Sequence, residues 1–143
     1  MIYTYELFQE GIEYIYSQIT YTAKKYDYII GIARGGLIPA TVLSYKLDVP
    51  MIPIEWSTRG PGRQWLPEYT KKELDGKKVL FVDDIIDSGK TIEDMEIELP
   101  KLDFDVAALV FNVDQSVNCD YWHLTIKRSI NNDWIYFWWD PKK

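Results

Sequence analysis

Histidine and cysteine are nearly missing from this chain, with one of each in 143 residues. The single cysteine, Cys119, has no partner for an intramolecular disulfide, which suits a reducing compartment. The single histidine, His123, excludes a metal site built from several imidazoles. No apolar run approaches the ~20 residues that a membrane span needs. The opening MIYTYELFQEG has no basic segment leading into an apolar one, so no signal peptide is read there. The expectation is a cytoplasmic protein with no membrane partner. Basic residues are outnumbered, 16 Lys and Arg against 22 Asp and Glu, for a net charge of −6. That argues against binding nucleic acid through a broad basic surface. An acidic protein can still bind phosphate, but only at a local site made of backbone N–H groups, a few cations or a metal.

The chain does hold enough apolar material for one core. Apolar residues make up 47 % of it and charged residues 27 %, and the length fits a single domain over 1–143. Phe8, Ile12, Ile15 and Ile19 recur at helical spacing and predict a helix over 5–24. Short Ile- and Val-rich runs predict buried strands at 28–33, 51–56, 78–82 and 105–111. Helices are expected at 37–47, where Pro39 falls in the first turn, and at 91–99 before Pro100. Shorter strands are expected at 120–126 and 134–139, and 57–76 reads as a long surface excursion. Alternating strands and helices give an α/β fold with a central, largely parallel sheet flanked by helices. Ligands of such sheets sit beyond the carboxyl ends of the strands. Two glycine-containing loops leave strands there, at 34–36 and 83–91.

The second loop carries the chemistry. Residues 79–92 read VLFVDDIIDSGKTI. The ending Ser88-Gly89-Lys90-Thr91 suggests a nucleotide-binding P-loop, but that pattern needs a glycine where Asp84 stands. Two unit charges ~4 Å apart interact by roughly 4 kcal/mol at an effective dielectric near 20, so an unscreened carboxylate there opposes a polyphosphate. A different arrangement fits better. Backbone N–H groups of 87–91, with the Ser88 and Thr91 hydroxyls, can hold one phosphate at a helix N-terminus. Gly89 permits close approach. Asp83 and Asp84, just upstream, can accept from sugar hydroxyls or engage Mg²⁺. A phosphate at one end and hydroxyls at the other describe a ribose 5-phosphate.

Two apolar residues, two acids, two apolar residues and then Asp-Ser-Gly-Lys-Thr resemble the 5-phosphoribosyl-1-pyrophosphate (PRPP) motif of type I phosphoribosyltransferases. The opening helix with YIIGIARGGLIPATVLSYKL resembles the short xanthine–guanine and hypoxanthine members of that family. The resemblance implies the type I fold with a small C-terminal hood and a mobile loop at 57–76, where Arg59 and Arg63 would meet pyrophosphate. It implies that Arg34, Gly35 and Gly36 receive pyrophosphate, with a non-proline cis peptide at Ala33-Arg34. Asp87, Ser88, Gly89, Lys90 and Thr91 would hold the phosphate of PRPP. Asp83 and Asp84 would serve ribose and metal, and Asp140 would approach the metal. In the aromatic ending DWIYFWWD, Trp134 would stack on the base and Ile135 would read its edge, while Trp138 and Trp139 are read as apolar packing. Mg²⁺ is the implied cofactor, PRPP and a nucleobase are the implied partners, and a homo-oligomer (dimer or tetramer) is expected.

The implied reaction is purine salvage: a purine base of the guanine, xanthine or hypoxanthine type plus PRPP gives a nucleoside monophosphate and pyrophosphate. Asp87 would be the general acid/base. The sequence departs from the family at Asn112, aligned where a lysine normally donates to the 6-oxo group. Lys127 or Arg128 could replace that lysine, or the acceptor could differ. Trp138 also replaces a usual proline. Three alternatives stay open: a PRPP-binding regulator without catalysis, a phosphoribosyltransferase for another base, and a P-loop hydrolase.

Overall fold

The computed structural model describes residues 1–56 and 66–141. The chain runs β1 (Ile2–Tyr3), α1 (Tyr5–Thr22), β2 (Tyr28–Ala33), α2 (Leu37–Leu47), β3 (Met51–Glu55), α3 (Glu68–Leu74), β4 (Lys78–Ile86), α4 (Lys90–Glu98), β5 (Asp103–Asn112), β6 (Tyr121–Ile126) and β7 (Tyr136–Phe137). Five strands form one sheet in the order β3-β2-β4-β5-β6, and every neighbouring pair is parallel. β1 and β7 make a separate parallel pair, with Ile2 opposite Tyr136 and Tyr3 opposite Phe137.

Alternation along the strands explains the layers. In β4, Leu80 and Val82 enter one core with Ile12, Ile15 and Leu43 of the first two helices. Val79 and Phe81 point the other way and pack with Leu74, Ile92 and Met95 of the last two. Both sheet faces are therefore covered, which is why the strands read as unbroken apolar runs. Helix α1 starts at Thr4, whose side chain accepts from the Leu7 N–H at 3.2 Å. Its buried Phe8, Ile12, Ile15 and Ile19 are each worth roughly 1.5–3 kcal/mol on burial.

Three expectations change. Strand β4 does not stop at Val82 but continues to Ile86. Its partner β5 is long enough to pair Asp83, Ile85 and Ile86 with Ala108, Val110 and Phe111, so the acidic pair stands on a strand and not in a turn. The 57–76 excursion contains helix α3, anchored by buried Thr70 and Leu74. Residues 57–65, with Arg59 and Arg63, lie outside the described residues, whereas the rest of the expected mobile loop, 66–76, is described. The strand expected at 134–139 shrinks to Tyr136–Phe137, because only β1 is there to pair with it.

Candidate active site

The carboxyl ends of β2, β4, β5 and β6 face one crevice. At the end of β2 the Ala33–Arg34 peptide is cis, as the resemblance implies. Arg34 is exposed, and the chain turns back so tightly that the Gly36 N–H donates to the Ile32 carbonyl at 2.9 Å. A Cβ at Gly36 would lie 2.5 Å from the Ile32 oxygen and 2.6 Å from the Val82 oxygen. A Cβ at Gly35 would lie 1.9 Å from Asp84 Oδ2. The Arg-Gly-Gly loop is thus pressed against β4, and only glycine allows that approach.

Asp83 and Asp84 face this contact half-buried. Asp83 Oδ1 accepts from the Asp84 N–H, and Asp84 Oδ1 from the Ile85 N–H, each at 2.8 Å. Burial pushes the Asp83 carboxyl well above the ordinary range, and the neighbouring Asp84 charge adds to it. Burial also raises Asp84, assisted by the charge of Asp140.

Beyond Ile86 the chain bends through 87–89 into α4. Gly89 is left-handed at φ 78°, and no side chain caps the helix. The Thr91 and Ile92 N–H groups of its first turn therefore face an outside acceptor, while the Lys90 N–H is held by Ser88. Ser88 Oγ accepts from the Lys90 N–H at 3.3 Å. Asp87, Ser88, Gly89, Lys90 and Thr91 line a cleft of about 180 Å³ that reaches back to Asp83. The Lys90 ammonium turns toward Asp94, at 3.7 Å.

A neighbouring cleft of about 150 Å³ is lined by Asp84, Asp87, Arg128, Trp134, Ile135 and Asp140, among others. Trp134 is 65 % exposed. Asp140 Oδ2 accepts from the Phe137 N–H at 2.8 Å and shapes the turn. Trp138 meets Tyr5 and Phe8 edge-on while staying 43 % exposed, and Trp139 stacks on Phe137 at 4.8 Å, so both rings pack on neighbouring aromatics and Trp138 also keeps an open side.

The structure brings Asp83, Asp84, Asp87, Trp134, Ile135 and Asp140 to adjoining clefts. It does not bring the Asn112 amide into the lining. Asn112 is 1 % exposed. Its Nδ2 donates to the Asp87 carbonyl at 3.0 Å, and its Oδ1 accepts from the Asp114 and Arg128 N–H groups at 3.2 and 3.4 Å. The sequence reading missed the partner of Asp87. Arg128 donates to that carboxylate through Nε at 3.0 Å and Nη2 at 2.9 Å. The pairing raises the guanidinium pKa. Its only sequence signal is a basic residue just past the end of a strand, which many surface arginines share.

A parallel sheet with two glycine-shaped loops at its carboxyl edge, one opening a helix over a phosphate-sized cleft, defines a phosphosugar-binding α/β enzyme class. Residues 1–142 match the phosphoribosyl transferase domain, and the chain belongs to that family. A xanthine-guanine phosphoribosyltransferase of Cereibacter sphaeroides is 30 % identical over 119 residues, 78 % of this chain and 68 % of that one. An adenine phosphoribosyltransferase of Desulfosudis oleivorans is also 30 % identical over 119 residues, 75 % of this chain and 68 % of the relative. The crystal structure of a purine phosphoribosyltransferase from Pyrococcus horikoshii superposes with a TM-score of 0.78 at 30 % identity, covering 100 % of this chain and 95 % of that one.

Proposed function

We propose that this protein transfers the 5-phosphoribosyl group of PRPP to a purine base, releasing pyrophosphate. One observation carries the reading: an uncapped helix N-terminus and an exposed tryptophan flank the same acidic strand end. The 5-phosphate sits on the N–H groups of 87–91, the ribose hydroxyls reach Asp83 and Asp84, and the base lies on Trp134 beside Ile135. The bond from C1 of ribose to the pyrophosphate oxygen breaks, its electron pair leaves with pyrophosphate, and a ring nitrogen of the base bonds to C1. Asp87, as carboxylate, takes the proton that the base releases. Arg34 and the N–H groups of Gly35 and Gly36 receive the charge that develops on pyrophosphate.

The residues present fit Mg²⁺. Burial, and behind it the charges of Asp84 and Asp140, raises the Asp83 and Asp84 pKa values, and a bound divalent cation would offset both. Asp83, Asp84 and Asp140 are the residues that would hold it. These three do not converge as one ligand set, since no group of three or more such side chains does so among the described residues, so substrate oxygens and water would have to complete the shell. When bound, the ion neutralises pyrophosphate and orients it. The exposed rings of Tyr5, Tyr136 and Trp138 support self-association.

For the acceptor, the first reading is a 6-oxopurine (guanine, xanthine or hypoxanthine) and the second a 6-aminopurine. The second is favoured by the absence of a lysine among the residues lining the base cleft. Pyrophosphate release from PRPP with Mg²⁺, measured against guanine, xanthine, hypoxanthine, adenine and uracil, decides between them. Release with a single base names the acceptor. PRPP binding without release under any base would replace transfer with PRPP sensing.

A further inference from the structure

Three parts of the site come from three different strand ends. Asp87 follows β4, Asn112 ends β5, and the segment carrying Trp134 follows β6. One residue, Arg128, spans them, its guanidinium reaching the first and third and its main-chain N–H the second. One edge of the Arg128 fork, Nε and Nη2, holds both oxygens of Asp87 at 3.0 and 2.9 Å. The other nitrogen, Nη1, donates to the Asp133 carbonyl at 2.5 Å, next to Trp134 in the chain. The side chain of Arg128 is 17 % exposed and that of Asp87 is 43 %. The cation is therefore the anchored partner, and the carboxylate keeps an open side toward the cleft. Arg128 is itself held from behind, since its N–H donates to Asn112 Oδ1 at 3.4 Å. The next N–H, of Ser129, donates to Asp114 Oδ2 at 2.7 Å.

The geometry points to Arg128 as a positioning residue that aims the Asp87 carboxylate at the base and at the same time fixes the main chain that presents Trp134. The inference rests on the proposed transfer to a base and goes beyond it by making proton transfer and base stacking depend on one side chain. A lysine would not do both. It is a point charge without a planar fork, and it would satisfy the carboxylate while releasing the Asp133 carbonyl.

The test is steady-state kinetics with varied base for Arg128→Gln and Arg128→Lys, each alone and combined with Asp87→Asn. Thermal unfolding and calorimetric PRPP binding accompany each protein. Arg128→Gln is expected to lower kcat about 30-fold and raise KM for the base about 5-fold, with PRPP affinity changed by less than about 2-fold. In the Asp87→Asn background the same change should cost under about 3-fold in kcat, because its route runs through Asp87, while the KM effect persists. Arg128→Lys should recover kcat to within about 5-fold of the parent and leave KM raised. A full 30-fold loss repeated in the double variant would overturn the positioning role, as would unchanged kinetics in a folded Arg128→Gln protein. If Arg128→Gln does not fold, Arg128→Lys decides, and equal changes in kcat and KM, or none, overturn the proposal. Failure of the parent protein to bind PRPP sinks the reading of the site itself. Normal turnover in the parent with an indifferent Arg128 sinks only this inference.

Discussion

Strands β4 and β5 meet acidic residues at both ends of the sheet, and the two ends treat them in opposite ways. At the amino end, Asp105 accepts from the Tyr26 hydroxyl and, at 3.1 Å, from the Lys24 ammonium. Tyr26 also meets the Tyr121 hydroxyl at 2.8 Å, which in turn lies 3.3 Å from Thr22 Oγ1. Asp120 Oδ2 accepts from the Val106 N–H at 2.8 Å. Burial first, and then the bond to Asp105, raises the Tyr26 phenol far above its ordinary pKa. At the carboxyl end, Asp83 and Asp84 have each other and two backbone N–H groups, and no ion pair to a cation among the described residues. A buried polar network with its donors supplied stabilises the fold. One left short of donors stores a demand that a ligand fills. The sheet separates the two jobs by its polarity.

The sharpest way to break this comparison is to remove the carboxylate proposed to move the proton. Asp87→Asn should lower kcat by about 10²–10⁴-fold, the range of general acid–base contributions. The PRPP dissociation constant should move little, since the phosphate cradle is mostly backbone. Equal losses in both would make Asp87 structural. Chelation should likewise abolish turnover, and full activity in excess chelator would remove the role given to Asp83 and Asp84.

Next in size is the amino end. Tyr26→Phe strips Asp105 of a buried donor and should cost about 1–3 kcal/mol in denaturant unfolding, with kcat/KM unchanged at permissive temperature. A loss of activity without a loss of stability would erase the contrast between the two ends. Thr91→Val removes one phosphate donor and should weaken PRPP binding about 5- to 10-fold in calorimetry.

A subtler effect separates the ends by their response to charge. Asp83 and Asp84 have folded pKa values above their unfolded ones. Their contribution is thus favourable at low pH and is lost as pH rises through the folded values. At neutral pH, Asp84→Asn should therefore raise the unfolding temperature by about 2–5 °C without a divalent ion and shrink the further rise that Mg²⁺ gives. The smallest effect belongs to His123, whose Nδ1 meets the Tyr3 hydroxyl at 2.8 Å. Burial lowers its pKa, so its contribution is present above the ordinary imidazole value and fades as pH falls. His123→Gln should flatten the melting-temperature profile between pH 7 and 5 by about 1–3 °C.

Much of this was legible in the sequence because local chemistry repeats there. YIIGIA and LIPATVLSYKL gave β2 and α2 to the residue, since apolar runs end sharply at Gly and Asp. Asp83 to Thr91 could be read as one phosphate-and-hydroxyl site because the motif is contiguous. What stayed hidden depends on distant pairing. Strand β1 is two residues long and exists only because Tyr136–Phe137 lies beside it. The Arg128 fork finds Asp87 across 41 positions. Asn112 was aligned with a base donor, whereas in the fold its amide meets three main-chain groups and, at 3.4 Å, the Asp87 carboxylate. No local pattern distinguishes those outcomes.

The β1–β7 pair also bears on the order of assembly. The Tyr136 N–H donates to the Met1 carbonyl and the Trp138 N–H to the Tyr3 carbonyl, each at 3.0 Å. The hood is therefore stitched to the opposite extreme of the sequence, and closing so long a loop is slow compared with local helix and hairpin formation. On the ribosome, the segment 87–91 proposed to cradle phosphate is made well before the strand beside Trp134, the residue proposed to stack on the base. On that proposal the phosphate half of the site precedes the base half, which waits for residues 2–3 to pair with 136–137.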